Sequence, residues 1–279
     1  MVAERNRSCL SNSSLANTLQ EAAAVEIMPR FRNLGDGDVR MKTEAIDLVT
    51  EADEAAERLI RARVEEIMPN ALFVGEEAVA ADPSLLTKLG DADLAVVVDP
   101  IDGTFNFASG LPLFGVMMSV VSKGETVAGI IFDPLGNDWL IAEKGSGAWL
   151  CAPDGNQTQM HVSPAPDLSQ MVGIANTGYF DIETRRKILV NLADVRLFTS
   201  YRCAAHEYRV FCGGHMHFLM YNKLMPWDHL AGTLISQEAG AYAARLDGSP
   251  YLPSHVDGGL LLAPDKDSWN LLKNHIFTV

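Results

Sequence analysis

The 279-residue sequence is poor in several things, and each shortage closes off a class of protein. It has no long hydrophobic run: the densest, Leu94–Val98, is five residues long, whereas a membrane-spanning helix needs roughly 18. It has little positive charge, because 22 Lys and Arg stand against 36 Asp and Glu for a formal net charge of −14. Such a surface repels phosphate backbones and anionic bilayers, so neither a nucleic-acid partner nor a membrane is expected. Cysteine is scarce: Cys9, Cys151, Cys203 and Cys212 are too few and too scattered for a disulfide scaffold. The first residues run into Ser- and Asn-rich sequence rather than an apolar core of about 7–15 residues, so no secretory signal is expected. These shortages together predict reduced thiols and a cytoplasmic protein.

What remains is ordinary globular usage, with 48% hydrophobic and 21% charged residues. At roughly 150 residues per domain the length predicts two domains. Residues 152–166, rich in Pro, Asp, Gly and Gln, divide the chain into 1–152 and 153–279. Helical spacing runs from about Leu15 to Phe31, and again from Thr50 to Pro69, where Thr50-Glu-Ala-Asp53 resembles a capping box. Between Gly115 and Leu150, short β-rich runs separated by turns predict an antiparallel meander. Beyond 166, strands and helices alternate: 171–175, 183–192, 195–198, 204–212, 216–220, 226–238, 241–246, 259–262 and 265–275. Alternation of this kind predicts helices packed on a sheet, an α/β or α+β architecture.

Chemistry is most concentrated in Asp99-Pro-Ile-Asp-Gly-Thr104. Read as a turn closing the apolar run 94–98, it lets two carboxylates three residues apart converge on one hard cation, with the Ile101 carbonyl as a further oxygen donor. Gly103 and Thr104 would then offer backbone N–H groups to an anion at a helix start. The same residues also suit a plain strand–turn–helix with Asp and Gly as turn formers. Glu76 in Gly75-Glu-Glu77 reads by itself as a solvated loop, Asp228 as an N-cap, and Asp53 as a capping acid. In so acidic a chain, a phosphate-bearing substrate requires a bound cation to neutralise it.

Taken in order, Asp47-Leu-Val-Thr-Glu-Ala-Asp53, Gly75-Glu-Glu77, Asp99-Pro-Ile-Asp-Gly-Thr104 and Pro226-Trp-Asp-His-Leu-Ala-Gly232 resemble the signatures of the inositol monophosphatase family, over about residues 15–275. That family consists of magnesium-dependent, lithium-sensitive phosphatases. The resemblance implies a layered αβαβα sandwich of the sugar-phosphatase type, with an antiparallel N-terminal sheet, a mixed C-terminal sheet and a homodimeric assembly. It implies two or three Mg²⁺ held by Glu76, Asp99, the Ile101 carbonyl, Asp102 and Asp228, with Asp53 on a more weakly held ion or its water. Asp53, Thr104 and Glu76 would be catalytic, and Asp102, Gly103, Thr104, Ala204, Arg202 and Tyr221 would meet the substrate. Crowded carboxylates repel one another unless cations sit among them, and an all-oxygen donor set suits Mg²⁺ better than zinc. No Cys or His stands inside the motifs as a nucleophile, so direct hydrolysis by an activated water follows.

The chain departs from the pattern where substrates are chosen. Inositol-selective relatives carry a glutamate seven residues before the Trp-Asp aspartate, where this chain has Tyr221. The usual Gly-Ser-Ala-Ala-Leu-Asp reads here as Arg202-Cys-Ala-Ala-His-Glu207, and an arginine near the pocket would favour a second anionic group. The expected activity is therefore phosphomonoester hydrolysis on a small polyol or alcohol phosphate such as inositol monophosphate. Fructose 1,6-bisphosphate, histidinol phosphate and 3′(2′),5′-bisphosphate nucleotides are alternatives, and a non-catalytic, RNA-associated regulatory protein is the alternative of a different class. His215 and His217, read as sharing one face of a strand, lack a second pair at zinc spacing, and Trp227 is read as core. Lys42 is either at the rim of the site or a surface charge.

Overall fold

A computed structural model describes residues 14–42 and 47–278. The N-terminal half opens with α1 (Ser14–Ala22), which widens into a π-helical turn over Ala23–Ile27, so the regular helix is shorter than the spacing to Phe31 predicts. A small hairpin, β1 (Val39–Met41) and β2 (Leu48–Thr50), leads into α2 (Glu51–Ile67). Then follow β3 (Leu72–Gly75), α3 (Glu76–Ala81), α4 (Ser84–Asp91), β4 (Leu94–Asp102) and the short α5 (Thr104–Ala108). Strands β5 (Gly115–Ser122), β6 (Glu125–Asp133), β7 (Asp138–Glu143), β8 (Ala148–Cys151) and β9 (Gln157–Met160) complete a seven-stranded sheet in sequential order. That sheet is antiparallel except at its β3–β4 edge, where α3 and α4 form a crossover and the strands run parallel.

The C-terminal half contains β10 (Val172–Ala175), α6 (Ile182–Asn191), β11 (Leu197–Thr199), α7 (Ala204–Cys212), β12 (Phe218–Tyr221), α8 (Pro226–Glu238), β13 (Tyr242–Arg245), β14 (Leu260–Ala263) and α9 (Lys266–Ile276). Its five strands lie in the order β11-β10-β12-β14-β13, with parallel and antiparallel pairs.

Side-chain alternation along the strands sorts the core into layers. Val96, Val98, Val116, Met118, Ile130 and Phe132 face α1 and α2. Met117, Ile131 and Leu140 face the other way, onto α7 and α8, which also receive Leu219, Leu260 and Leu262 of the second sheet. The opposite face of that sheet, with Phe218, Met220 and Leu261, packs on α6 and α9. The result is the expected αβαβα sandwich. Its central helix α8 is buried through most of its length, from Pro226 to Ser236, because it has a sheet on either side. Trp227 belongs to the core around Val74, Val97 and Leu230, as read from sequence. His215 and His217 lie before β12 rather than on it, and His217 Nδ1 accepts the Val172 N–H at 3.0 Å, a structural duty.

Candidate functional site

The Asp-Pro-Ile-Asp segment is not a turn after the strand, as its proline suggests, but the end of β4 itself, carried through an irregularity. Asp99 pairs with Met117 and Asp102 with Gly115, so three steps on β4 answer two on β5. In a regular strand, residues three apart point to opposite faces. The extra residue shifts the alternation: Ile101 joins the core of Val96 and Val98, and both aspartates emerge on the other face. Gly103 then takes a left-handed φ of 86°, where a Cβ would lie 2.9 Å from the Leu113 carbonyl oxygen, and α5 starts at Thr104.

Asp228 reaches the same point from the first turn of α8, where acidic charge suits the helix dipole. Carboxylate oxygens of Asp99, Asp102 and Asp228 all lie within 4.8 Å of one another. Burial pushes the Asp99 carboxyl well above its usual range, and the charges of Glu76, Asp102 and Asp228 push it further. Asp228 is raised by burial and then by Asp102 and Glu76. Asp102 is raised by burial but partly relieved, since its Oδ2 accepts the Ala205 N–H at 2.6 Å and the Cys203 thiol at 3.0 Å from the start of α7. Three hard oxygen donors that repel one another in a buried place are a site for a hard cation, and the residues fit one. This is the group of potential metal-ligating side chains found among the described residues.

Glu76 stands beside this group and is turned to Lys42, whose Nζ lies 2.8 Å from Glu76 Oε1 and 2.5 Å from Glu77 Oε1. Lys42 is therefore a half-buried rim residue rather than a free surface charge. Behind Glu76 is a residue that belongs to none of the sequence motifs. The Glu57 carboxylate accepts the N–H groups of Glu77 and Ala78, both at 2.8 Å, and so caps α3. Nothing in its helical spacing marks it, since it occupies an ordinary position on α2. The glycine of Gly75-Glu-Glu77 is explained by it: a Cβ on Gly75 would lie 2.3 Å from Glu57 Cδ. Gly75→Ala must expel that carboxylate from two hydrogen bonds and is expected to cost about 1–3 kcal/mol. A thermal melt lowered by several degrees, with turnover reduced as Glu76 shifts, is the expected result; an unchanged melt would show that Glu57 is not needed there.

Asp53 serves two structures at once. Its Oδ2 accepts the Thr50 N–H at 2.8 Å and the Thr50 hydroxyl at 2.5 Å, closing the N-terminus of α2, so the capping reading holds. Its Oδ1 accepts the Thr104 hydroxyl at 3.0 Å, and that hydroxyl is also 2.9 Å from the Ile101 carbonyl oxygen. Burial raises the Asp53 carboxyl to about 7 against the pull of these donors.

A pocket of about 440 Å³ joins these groups to the C-terminal half. Asp99, Ile101, Asp102, Gly103, Thr104, Ala204, Arg202, Tyr221 and Asp228 all line it, as does Glu76. Asp53 sits behind Thr104, buried at 1% exposure. Tyr221 ends β12 with its ring 4.4 Å from that of His229. Its hydroxyl is buried, directed toward Glu207 without closing a hydrogen bond of normal geometry. Glu207, a second residue the motifs did not single out, is a buried pocket carboxylate that accepts from Tyr201 N–H at 2.8 Å and Asn176 Nδ2 at 2.9 Å. Burial raises it to about 7.

Comparison with known proteins agrees with this geometry. The inositol monophosphatase family profile matches residues 11–275. A fructose-1,6-bisphosphatase/inositol-1-monophosphatase of Thermotoga maritima is 33% identical over 218 residues, 76% of each chain. An inositol-1-monophosphatase of Mesorhizobium japonicum is 29% identical over 265 residues, 91% of this chain and 92% of that one. The solved structure of a Thermotoga maritima IMPase matches with a TM-score of 0.77 at 25% identity, covering 93% of this chain and 95% of the other.

Proposed function

The chain belongs to the inositol monophosphatase family and is a phosphoric monoester hydrolase, and from that premise we propose that it cleaves a small polyol or alcohol phosphate with two or three Mg²⁺ and a directly attacking water. The observation that carries this reading is the convergence of Asp99, Asp102 and Asp228 within 4.8 Å, one pocket wall away from the Thr104–Asp53 pair. Asp99, Asp102, Asp228, Glu76 and the Ile101 carbonyl would hold the ions, with Asp53 near a weaker one. Bound Mg²⁺ supplies positive charge to the phosphoryl and leaving oxygens and lowers the pKa of a water.

The chain's own residues account for the rest. The Thr104 hydroxyl, held by Asp53 Oδ1, accepts a hydrogen bond from the attacking water. As the water loses its proton to Thr104 Oγ1, the threonine proton passes to Asp53, whose carboxyl is already raised toward neutrality by burial. Gly103 and Thr104 line the pocket and would face the phosphate, orienting it for in-line attack. Cys203 is in the pocket but is no nucleophile: burial and the Asp102 charge hold its thiol well above the ordinary value.

Tyr221 cannot accept hydroxyl donors as a carboxylate does, which favours a broad range of compact phosphates over a strict preference for inositol phosphate. The complete acid set and the −14 charge disfavour a non-catalytic, RNA-associated role. The reading includes a cytoplasmic homodimer, each subunit of two domains, 1–152 and 153–279, with β9 at the start of the second reaching back to pair with β8 of the first. Phosphate release from inositol 1-phosphate, glycerol 2-phosphate, fructose 1,6-bisphosphate and histidinol phosphate tests it. Release is expected with Mg²⁺, falling to background in excess EDTA, returning on adding Mg²⁺ and inhibited by Li⁺. No Mg²⁺-dependent release from any ester would overturn the proposal.

A further inference from the structure

The acidic wall of the pocket has a basic counterpart. Arg185 from α6, Arg202 from the segment before α7, and Lys223 from the segment after β12 all line the same pocket from three separate stretches of chain. None of them has a carboxylate within ion-pair distance among the described residues, although the chain has acid in excess. The neighbouring Arg186 is paired with Glu183 at 2.7 Å, and Arg209 with Asp138 at 2.5 Å. Glu207, a buried acid that lines the same pocket, is already occupied by Tyr201 N–H and Asn176.

Arg202 is held in place at a conformational cost. Its φ is 54°, in the left-handed region that L side chains rarely adopt. There its guanidinium lies 3.5 Å from the centroid of Phe105, the residue after Thr104. Stacking occupies the face of the guanidinium and leaves its N–H edges free, the arrangement that binds a phosphate with two parallel hydrogen bonds. Lys223 Nζ lies 5.2 Å from the Tyr179 ring centroid, another cation resting on an aromatic face at the same rim. Lys223 draws the Asp228 carboxyl down through space without pairing with it, and three cations that close no ion pair opposite an acidic metal site give the pocket two anion-receiving ends.

We propose that Arg185, Arg202 and Lys223 form a second-anion subsite, and that the favoured substrate is a compact phosphomonoester carrying another phosphate away from the scissile one. This rests on the phosphatase reading for the scissile end but not for the rim. The test compares wild type with Arg202→Gly, which keeps the left-handed backbone relaxed, with Lys223→Gln, and with the double variant, each first checked for an unchanged melt. The readout is the ratio of kcat/KM for fructose 1,6-bisphosphate over glycerol 2-phosphate. Charge-assisted hydrogen bonds predict a fall of about tenfold or more in that ratio for each single variant, carried by KM, with Arg202→Lys restoring part of it. An unchanged ratio, or equal losses on both substrates, would overturn the subsite.

Binding of non-hydrolysable phosphonates separates this from failure of the phosphatase reading. With Mg²⁺ present, hexane-1,6-bisphosphonate is expected to bind wild type at least about tenfold tighter than hexylphosphonate, and the double variant with no such margin. That result supports the subsite even if no ester is hydrolysed. Equal affinity in wild type would refute it even if every ester is.

Discussion

Asp99→Asn or Asp102→Asn is expected to lower turnover by at least about a thousandfold, roughly 4 kcal/mol of transition-state stabilisation, while leaving the metal-free protein more stable than wild type. Both effects have one cause. Each aspartate is a buried charge beside other charges, useful only when a cation lies among them, and without one its burial and its neighbours push its pKa up. Asparagine removes the charge that holds the ion and also removes the repulsion. Melts in EDTA should therefore rise for the variants, and Mg²⁺, which stabilises wild type by binding the native state, should stabilise them less. The same site sets the pH dependence. Asp53 and Glu207 are raised to about 7 and Asp99 and Asp228 well above their usual range, whereas the unfolded chain releases these protons near pH 4. The native state then binds more protons than the unfolded state between about pH 4 and 7, so metal-free stability falls as pH rises through that window. Denaturant midpoints in EDTA at about pH 5 and pH 8 measure this. A variant with near-native turnover at saturating Mg²⁺ would remove Asp99 or Asp102 from the metal site.

Thr104→Ala and Asp53→Asn are each expected to reduce kcat by about a hundred- to a thousandfold, and the double variant by little more than either, because the two residues move one proton as a unit. The pair can be told apart by stability. Asp53 also closes the N-terminus of α2 through Thr50, so Asp53→Ala, which removes the acceptor altogether, should lower the melting temperature, whereas the Thr104 hydroxyl does no capping. Asp53 must be ionised to accept the proton, so activity should fall as pH drops through the acid limb. In the metal-free protein, burial, partly offset by the Thr50 hydrogen bonds, raises Asp53 to about 7, and bound cations move the limb lower. The profile of kcat against pH checks this directly. The acid limb should vanish in Asp53→Asn, and its survival there would assign the limb to another group.

Much of the site was legible because its chemistry needs particular residue types at short range. Asp-Pro-Ile-Asp-Gly-Thr, the Gly-Glu-Glu and the Trp-Asp block each compress several donors into a few positions, and spacing along the chain is enough to see them. The helices 204–212 and 226–238 were likewise readable to the residue, through their flanking turn residues and Pro226 at the first helical position. Other features depend on what comes near in space. That Asp99 and Asp102 share a face rests on a pairing irregularity with β5, and no local rule distinguishes it from a turn. Glu57 caps α3 across 20 residues of chain, and Glu207 takes its partners from Tyr201 and Asn176, so neither carries a local signature. The basic rim is the clearest case: the sequence marks Arg202 as a pocket arginine, but Arg185 and Lys223 are unremarkable in an alternating α/β stretch until β10, β11 and β12 lie side by side and bring their ends to one pocket. Residue identity and spacing thus carry the metal-binding chemistry, because its ligands come in compact motifs. The shape and sign of the substrate end belong to the packing of distant strands, because charge acts through distance in space and not along the chain.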